Sequence, residues 1–283
     1  MHSNLLIALN NIIKCSSNSL SEGILGRNRI NNIGVSLEDY IKDAFCDTIL
    51  EFNKQKKIEK YNQFLSYIGN QNNPPDFMLK NGDAVEVKKI EKIKSQIALN
   101  SSYPKDKLYA DSPMITKSCR ESENWEIKDL IYTIGFVDLD KIKLISFIYG
   151  DCYSAEKNIY ERIKNSISEG ILSLPNISFS PTKELGKVKA VDPLGITDLR
   201  IRGMWHIENP LSVFDYIVEP NISEGLHVVA IILENKYNTF SEIDRKNLEE
   251  SLHKIEGIKR EVKIKSPNNP AILLNSILIE FKI

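Results

Sequence analysis

The sequence predicts an α/β fold in which a mixed central sheet is flanked by helices. Three observations support this prediction: a short hairpin pattern, four further apolar stretches of strand length, and helical patterns before and between them. The chain has 283 residues, 42% of them hydrophobic, which is enough to bury a large core. We therefore expect one domain over residues 1–283, with a helical part (1–70), a core (71–190) and a sheet-completing part (191–283).

The helical patterns are clearest after Ser36. The segment Ser-Leu-Glu-Asp is typical of a capping-box start, and apolar residues then recur at helical spacing for more than three turns. This pattern leaves Lys42 and Asp43 outside the apolar face. The further predicted helices are residues 154–169, which Gly170 should end, and residues 241–254.

The strongest local pattern lies in residues 76–90. Two short segments with strand-like alternation are joined there by Asn81-Gly82, a pair typical of tight hairpin turns. The Pro-Pro pair just before residue 76 cannot continue a helix and favours extended backbone, so we expect the sheet to start near residue 70. The further predicted strands are residues 130–137, 142–149, 226–233 and 272–281.

Composition alone gives no preference for nucleic acid. With 37 Lys plus Arg against 38 Asp plus Glu, the net charge is -1, so a DNA-binding surface would need segregated charge. The four cysteines are scattered without a CxxC pair, which argues against zinc and disulfide frameworks. The first residues lack a signal-peptide pattern, and no stretch reaches membrane-spanning length. We expect a soluble cytoplasmic protein with reduced thiols and no membrane partner.

The second strand of the hairpin suggests the chemistry. Alternation places Glu86 and Lys88 on one face, and the hairpin brings Asp76 back near the same face. Carboxylates are ligands that Mg²⁺ prefers, so Asp76 and Glu86 are the predicted metal ligands. Lys88 can orient the attacking water and neutralise charge that grows on a phosphate. The pattern therefore predicts Mg²⁺-assisted phosphodiester hydrolysis.

An alternative interpretation is that Glu86 and Lys88 belong to a solvated strand face. Glu and Lys two residues apart are common on exposed strands, and Glu234-Asn235-Lys236 repeats the spacing. The triplet by itself therefore has low specificity. The Pro-Asp start, the Asn-Gly turn and the valines beside Glu86 favour a functional site.

Taken together, Pro75-Asp76 and Glu86-Val87-Lys88 resemble the signature of the PD-(D/E)XK nucleases. Residues 34–45 (GVSLEDYIKDAF) and 192–205 (DPLGITDLRIRGMW) resemble type II restriction endonucleases, in particular the NgoPII-like group. The resemblance implies a restriction-endonuclease-like core, with catalysis in residues 71–190 and DNA recognition in residues 191–283. It also implies a homodimer that cuts double-stranded DNA at a short palindromic site. A matching DNA methyltransferase is expected in the host, without a stable complex.

The resemblance also gives Glu38 a candidate role. In related nucleases an acidic residue on a helix before the catalytic hairpin often supports the metal site, and Glu38 lies on the matching helix. The alternative is a charge near a helix N-terminus that simply favours the helix dipole. Asp83, in the turn after Gly82, is expected to be structural.

A strand-like segment is the first candidate for reading DNA. In this segment Arg200 and Arg202 should project together while Leu199 and Ile201 pack behind them. Two guanidinium groups on a rigid strand suit guanine recognition in the major groove. The alternative is a surface patch of ion pairs and cation–π contacts with the tryptophan that follows.

Polar residues elsewhere complete the predicted DNA-binding surface. They follow either the arginine segment or the catalytic strand, where phosphate contacts are expected. These candidates are Trp205, His206, Asn100, Ser101, Ser102 and Lys105. Two other functions stay open at this point: a structure-specific or repair nuclease with the same active site, and a non-catalytic DNA-binding module on a nuclease fold.

Overall fold

A computed structural model describes residues 2–21, 37–70, 73–138, 141–219 and 225–283. Its main feature is a mixed sheet of nine strands within these residues. The described residues form fourteen strands in all, of which five belong to two smaller sheets. In chain order they are β1 (Leu65–Asn70), β2 (Asn73–Leu79), β3 (Ala84–Ile90), β4 (Ile97–Ala98), β5 (Lys107–Tyr109), β6 (Ile127–Asp138), β7 (Lys141–Tyr149), β8 (Ser178–Pro181), β9 (Gly186–Lys189), β10 (Leu199–Ile201), β11 (His206–Ile207), β12 (His227–Leu233), β13 (Ile258–Lys265) and β14 (Leu273–Lys282). The predicted fold class is confirmed.

The main sheet has the order β1-β2-β3-β6-β7-β12-β14-β13, with β5 paired to one end of β6. Two neighbouring pairs, β3 with β6 and β7 with β12, are parallel, and the other pairs are antiparallel. The hairpin of residues 76–90 forms as predicted, and the four other predicted strands correspond to β6, β7, β12 and β14. The sheet starts earlier than expected, because β1 pairs with β2. The predicted helical part therefore ends at Phe64 instead of residue 70.

Helices cover the faces of this sheet. They are α1 (Leu5–Ser21), α2 (Leu37–Cys46), α3 (Lys54–Phe64), α4 (Lys117–Arg120), α5 (Gly150–Tyr153), α6 (Lys157–Leu172), α7 (Pro210–Val213), α8 (Glu234–Tyr237) and α9 (Glu242–Lys254). Ser241 caps α9 as predicted, since its hydroxyl accepts a hydrogen bond from the Asp244 N–H at 3.1 Å. The prediction that Gly170 ends its helix is wrong, because α6 continues through it to Leu172. A helical glycine costs about 1 kcal/mol, which does not force a stop.

The helix α2 packs closely onto the sheet. Its first residue, Leu37, lies directly over Gly135 of β6, where a Cβ would be 2.4 Å from a leucine methyl carbon. Further along, Phe45 makes edge contacts with Phe77 and Phe147, at ring distances of 5.7 and 6.4 Å. The small residue at position 135 therefore lets the helix sit on β6. Ser36, the predicted cap, lies outside the described residues.

Two charged residues of α2 are buried, contrary to the sequence prediction. Lys42 and Asp43 are 8% and 2% exposed. The Asp43 carboxylate accepts hydrogen bonds from Thr48 at 2.6 Å and Tyr61 at 2.7 Å, and it pairs with Lys57. Helical periodicity could not reveal these partners, because they come from the following loop and from α3.

A small sheet of three strands, in the order β10-β9-β8, stands apart from the main sheet. Because β8 and β9 precede residue 190 and β10 follows it, the expected boundary between core and recognition parts cuts through this unit. Pairing along a hairpin, which composition does not reveal, holds the three strands together. None of the described helices is long and apolar enough to span a membrane.

Candidate active site

The hairpin of β2 and β3 brings Asp76, Glu86 and Lys88 together. Its ladder pairs Phe77 with Val85, so the next position along each strand is Asp76 or Glu86, on the opposite face. Beyond that point the Val87 N–H donates to the Asp76 carboxylate at 2.6 Å. Lys88 Nζ lies 2.5 Å from Glu86 Oε1. Two carboxylates and one ammonium group therefore lie together on one face of the hairpin.

These groups influence one another because they are largely buried. Burial raises the pKa of Asp76 to about 7, and the negative charge of Glu86 adds to this rise, while Lys88 and the Val87 N–H oppose it. Burial also disfavours the charged form of Lys88. The charge and hydrogen bond of Glu86 outweigh that effect, so the pKa of Lys88 lies above its ordinary value. The site therefore favours the charged form of Lys88 and brings the pKa of Asp76 close to neutral pH.

The geometry fits a divalent metal ion. Within the described part of the chain, Glu86 Oε2 is buried and has no hydrogen-bond partner, although Oε1 of the same carboxylate contacts Lys88. An unpartnered buried carboxylate oxygen is costly, and a cation would compensate it. The described residues contain no group of three or more acidic, histidine or cysteine side chains suited to one metal. Asp76 and Glu86 therefore fit Mg²⁺, which needs one or two carboxylates besides water and phosphate.

Glu38 stands apart from this group. It belongs to α2, and its carboxylate pairs with Lys42 at 3.1 Å with 39% of its side chain exposed. Its charge still contributes to the raised pKa of Asp76, behind burial and Glu86. Glu38 therefore lies within electrostatic reach of the hairpin but does not line the cleft described next.

A cleft extends from the hairpin toward the small sheet. It is lined by the three hairpin residues and by six of the residues predicted to bind DNA. These six are Asn100, Ser101, Ser102, Lys105, Arg200 and Arg202. The structure thus brings segments more than 100 residues apart to one concave surface.

Arg200 and Arg202 project together from the small sheet, about 60% exposed, and share one partner. That partner is Glu184, which is 8% exposed. Its two carboxylate oxygens lie 3.3 Å from Arg200 and 2.8 Å from Arg202. The expectation that Leu199 packs behind the arginines is wrong, since 55% of it is exposed. Leu199 belongs to a strand of three residues at the edge of the small sheet, where few neighbours can cover its side chain.

Trp205 and His206 lie outside the cleft. The ring of Trp205 makes edge contacts with Tyr103 and Tyr160 at 6.1 and 5.8 Å. Its backbone N–H donates to the Asn100 carbonyl and its carbonyl accepts from the Leu99 N–H, both at 2.8 Å. His206 is exposed on the short strand β11, which pairs with β4. In this structure Trp205 ties two cleft-lining segments together.

Comparisons with known proteins show the family to which this chain belongs. The model of the NgoPII restriction endonuclease family matches residues 3–265. The chain is also 46% identical over 279 residues to the type II restriction enzyme NgoPII of Neisseria gonorrhoeae, covering 97% of this chain and 96% of that protein. The chain belongs to the NgoPII restriction endonuclease family. No solved structure was found to match it.

Membership of the NgoPII family confirms the predicted enzyme class and supports the prediction that the enzyme needs a metal ion. The enzyme class is a site-specific deoxyribonuclease, a hydrolase whose partner is DNA. Type II restriction endonucleases are in general metal-dependent, which agrees with the unpartnered carboxylate oxygen in the cleft.

Sequence reasoning missed two residues of this NgoPII-family cleft. Glu184 holds both arginines, and Tyr132 lies opposite Glu86 in the parallel pairing of β3 with β6. Neither lies in a local motif: Glu184 is in a loop 98 residues after Glu86, and Tyr132 is in an apolar strand. The sequence carries no signal for Glu184, because only its burial and its contacts with the two arginines separate it from other loop glutamates.

Proposed function

We propose that this protein is a Mg²⁺-dependent type II restriction endonuclease that hydrolyses both strands of double-stranded DNA at a short palindromic site. The observation that carries the proposal is the convergence of Asp76, Glu86 and Lys88 at a cleft that is also lined by arginines and hydroxyl groups. Sequence similarity to a type II restriction enzyme over nearly the whole chain supports the same conclusion.

In this proposal Asp76 and Glu86 hold the metal through carboxylate oxygens, including the buried Glu86 Oε2. When bound, Mg²⁺ polarises the phosphate and lowers the pKa of a bound water. Lys88, already fixed by Glu86, orients the attacking water and neutralises charge on the phosphate oxygens. The water oxygen forms a bond to phosphorus as the bond to the leaving sugar oxygen breaks. Glu38 acts on Asp76 and Lys88 through its charge.

The small sheet is proposed to read the bases. Arg200 and Arg202 present guanidinium donors that suit guanine edges in the major groove. The buried Glu184 carboxylate limits their rotation, so that fewer conformations are lost on binding. Asn100 and Ser101 lie beside them in the cleft and are suited to phosphate contacts. Trp205 holds the Asn100 loop in place, and the exposed His206 contacts the flanking backbone.

The assembly follows from the symmetry of the substrate. A palindromic site presents two equivalent half-sites, so we propose a homodimer in which each protomer cuts one strand. A matching methyltransferase would protect host DNA in the cytoplasm without forming a stable complex with the endonuclease.

Digestion of a mixed-sequence plasmid in Mg²⁺, followed by sequencing of the ends, tests the proposal. Discrete fragments that share one palindromic sequence at their ends are the expected result. In Ca²⁺ the same DNA should be bound without cutting, because Ca²⁺ accepts carboxylate ligands but is a poorer Lewis acid with looser geometry. A smear would indicate a structure-specific or repair nuclease, and uncut DNA in a retarded complex would indicate a DNA-binding module.

A further inference from the structure

Lys105 is a buried cation that has no carboxylate partner among the described residues. It is 5% exposed. Its Nζ donates to the Ser102 hydroxyl and to the Tyr103 carbonyl at 3.3 Å, and it lies 5.1 Å from the Tyr103 ring centre. These partners are all neutral. Lys105 is one of the DNA contacts predicted from the sequence, and the structure places it, buried, in the cleft that Glu86 and Lys88 also line.

The backbone around Lys105 is fixed beside the catalytic strand. The Lys105 N–H donates to the Tyr132 hydroxyl at 2.8 Å, and Tyr132 lies opposite Glu86 in the pairing of β3 with β6. On the other side the Lys105 carbonyl lies so close to Gly150 that a Cβ there would be 2.5 Å from it. Lys105 is therefore held at a set position relative to Glu86.

A second buried lysine provides a comparison. Lys128 is 6% exposed, and its Nζ pairs with Glu123 and donates to the Leu79 and Gly82 carbonyls. Lys128 thus has the counter-charge that a buried ammonium group requires. Lys105 lacks one, and burial lowers the pKa of Lys105 to about 8, with the negative charge of Glu86 opposing this change and the positive charge of Lys88 adding to it.

An anion that enters the cleft would supply a counter-charge to Lys105. The cleft wall that contains Lys105 also contains Glu86 and Lys88, so an anion entering the cleft meets both lysines. Lys88 already contacts Glu86, whereas Lys105 contacts no carboxylate among the described residues and is influenced by Glu86 only through its charge. A phosphate group is the anion that a nuclease cleft receives, and a desolvated ammonium group binds it strongly.

We propose that Lys105 is a second active-site cation, which binds a phosphate oxygen of the DNA strand being cut. This inference rests on the proposed nuclease function and adds a contact to it. Lys88 serves the water and the metal carboxylate, while Lys105 holds the DNA strand through its phosphate. The free protein retains this cation at a cost to its own stability, and bound DNA offsets that cost.

The test compares Lys105→Met with Lys128→Met, two neutral substitutions of similar shape at equally buried lysines. Lys105→Met should leave the thermal midpoint of the DNA-free protein unchanged or raised, because an uncompensated charge is removed. Its single-turnover cleavage in Mg²⁺ should fall by about 10²-fold. Its binding in Ca²⁺ should lose about one unit of salt slope. Lys128→Met should lower the thermal midpoint and leave cleavage and salt slope unchanged.

A set of duplexes with a neutral methylphosphonate at one phosphate at a time identifies the contact. They carry the cut site found by plasmid digestion. At one position neutralisation should weaken binding by the wild type several-fold and leave binding by Lys105→Met unchanged, because each change removes the same interaction. Lys105→Gln, which keeps a donor for Ser102, replaces the methionine variant if that variant does not fold.

Two results would overturn the inference. One is that the wild type cuts in Mg²⁺ and a Lys105 variant cuts at the same rate with the same salt slope. The other is a Lys105 variant whose thermal midpoint falls like that of Lys128→Met and whose cleavage falls only with the folded fraction. Failure of the wild type to cut in Mg²⁺ would instead contradict the proposed function itself, so the two failures are distinguishable.

Discussion

Two groups of lysines and carboxylates each include a residue of the β2–β3 hairpin and its turn, and they differ in how their charges are paired. The cleft group consists of Asp76, Glu86, Lys88 and Lys105. The second, which we name the framework cluster, consists of Asp83, Asp129, Asp151, Lys107 and Lys236. The hairpin of β2 and β3 contributes to both, since Asp83 immediately precedes β3 and Glu86 lies within it.

Each lysine of the framework cluster contacts two aspartates. Lys236 lies 2.7 Å from Asp83 and 2.6 Å from Asp129, and Lys107 lies 2.8 Å from Asp151 and also pairs with Asp129. In addition, the Tyr149 hydroxyl donates to Asp83 at 2.6 Å. The structural role expected for Asp83 agrees with these contacts. The protein itself supplies a lysine for each of these aspartates, although Asp151 Oδ1 is buried without a hydrogen-bond partner in the described part of the chain.

The cleft group is left incomplete by the described residues. Glu86 Oε2 is buried without a hydrogen-bond partner, and Lys105 is buried without a carboxylate. One atom suits a cation and the other suits an anion, which are the metal and the phosphate of a nuclease reaction. Within the residues that the structure describes, both groups contain one buried carboxylate oxygen without a hydrogen-bond partner, Glu86 Oε2 and Asp151 Oδ1. The feature that separates the cleft group is Lys105, a buried lysine that has no carboxylate partner among the described residues.

The largest expected effect concerns Glu86. Glu86→Gln should lower cleavage by about 10³-fold or more, because the metal loses a charged ligand, while DNA binding persists. Glu234→Gln is the matched control, since Glu234 precedes Lys236 by the spacing found in Glu86-Val87-Lys88, and it should cut normally. Single-turnover assays with matched DNA-binding measurements check both variants. Rapid cutting by Glu86→Gln would contradict the proposal that Glu86 holds the metal needed for cleavage.

Next in size is the effect of Lys236→Met on stability. This change leaves Asp83 buried without a cation, while Asp129 keeps Lys107, so the free energy of unfolding should fall by about 3–5 kcal/mol. Cleavage per folded molecule should be unchanged. Denaturant unfolding measures the loss, and Lys246→Met, at an exposed position of α9, controls for the removal of one positive charge. Equal stability of the two variants would show that the framework cluster does not stabilise the fold.

A smaller effect is expected at the arginines of the small sheet. Arg200→Ala or Arg202→Ala should cost about 1–3 kcal/mol for cognate DNA and much less for random DNA. Glu184→Gln should weaken cognate binding as well, because it loosens both guanidinium groups. Binding in Ca²⁺ across a salt series separates these outcomes. A loss that is uniform over all sequences would assign the arginines to phosphates and move base reading to the Asn100 loop.

The smallest expected effect is a pH-dependent change in stability from Asp76→Asn. The folded protein holds the Asp76 proton up to about pH 7, whereas the unfolded chain releases it near pH 4. The free energy of unfolding of the wild type should therefore fall as pH rises between these values, and remain level above them. The asparagine variant lacks this loss, so its advantage should grow by on the order of 1–2 kcal/mol from pH 5 to 7. Denaturation in EDTA measures it, and parallel pH curves would contradict the raised pKa.

Much of the fold was predictable because its signals are local. The runs rich in valine and isoleucine gave β6, β7, β12 and β14, and the Asn-Gly pair gave the β2–β3 turn. The strand β13 was missed because it reads Ile-Lys-Arg-Glu-Val-Lys-Ile-Lys, and six of its eight residues are exposed at a sheet edge. An edge strand needs few apolar residues, so its sequence differs little from that of a charged loop.

Local sequence patterns were enough to predict the β2–β3 hairpin and the family. Asp76, Glu86 and Lys88 lie within 13 positions of one another, and strand alternation with one turn is enough to bring them together. The tertiary structure decided the rest of the cleft. Lys105 becomes a buried cation only through Tyr132 and Gly150, and Glu184 meets its arginines across a hairpin. Burial depends on contacts between distant segments, which local sequence patterns do not encode.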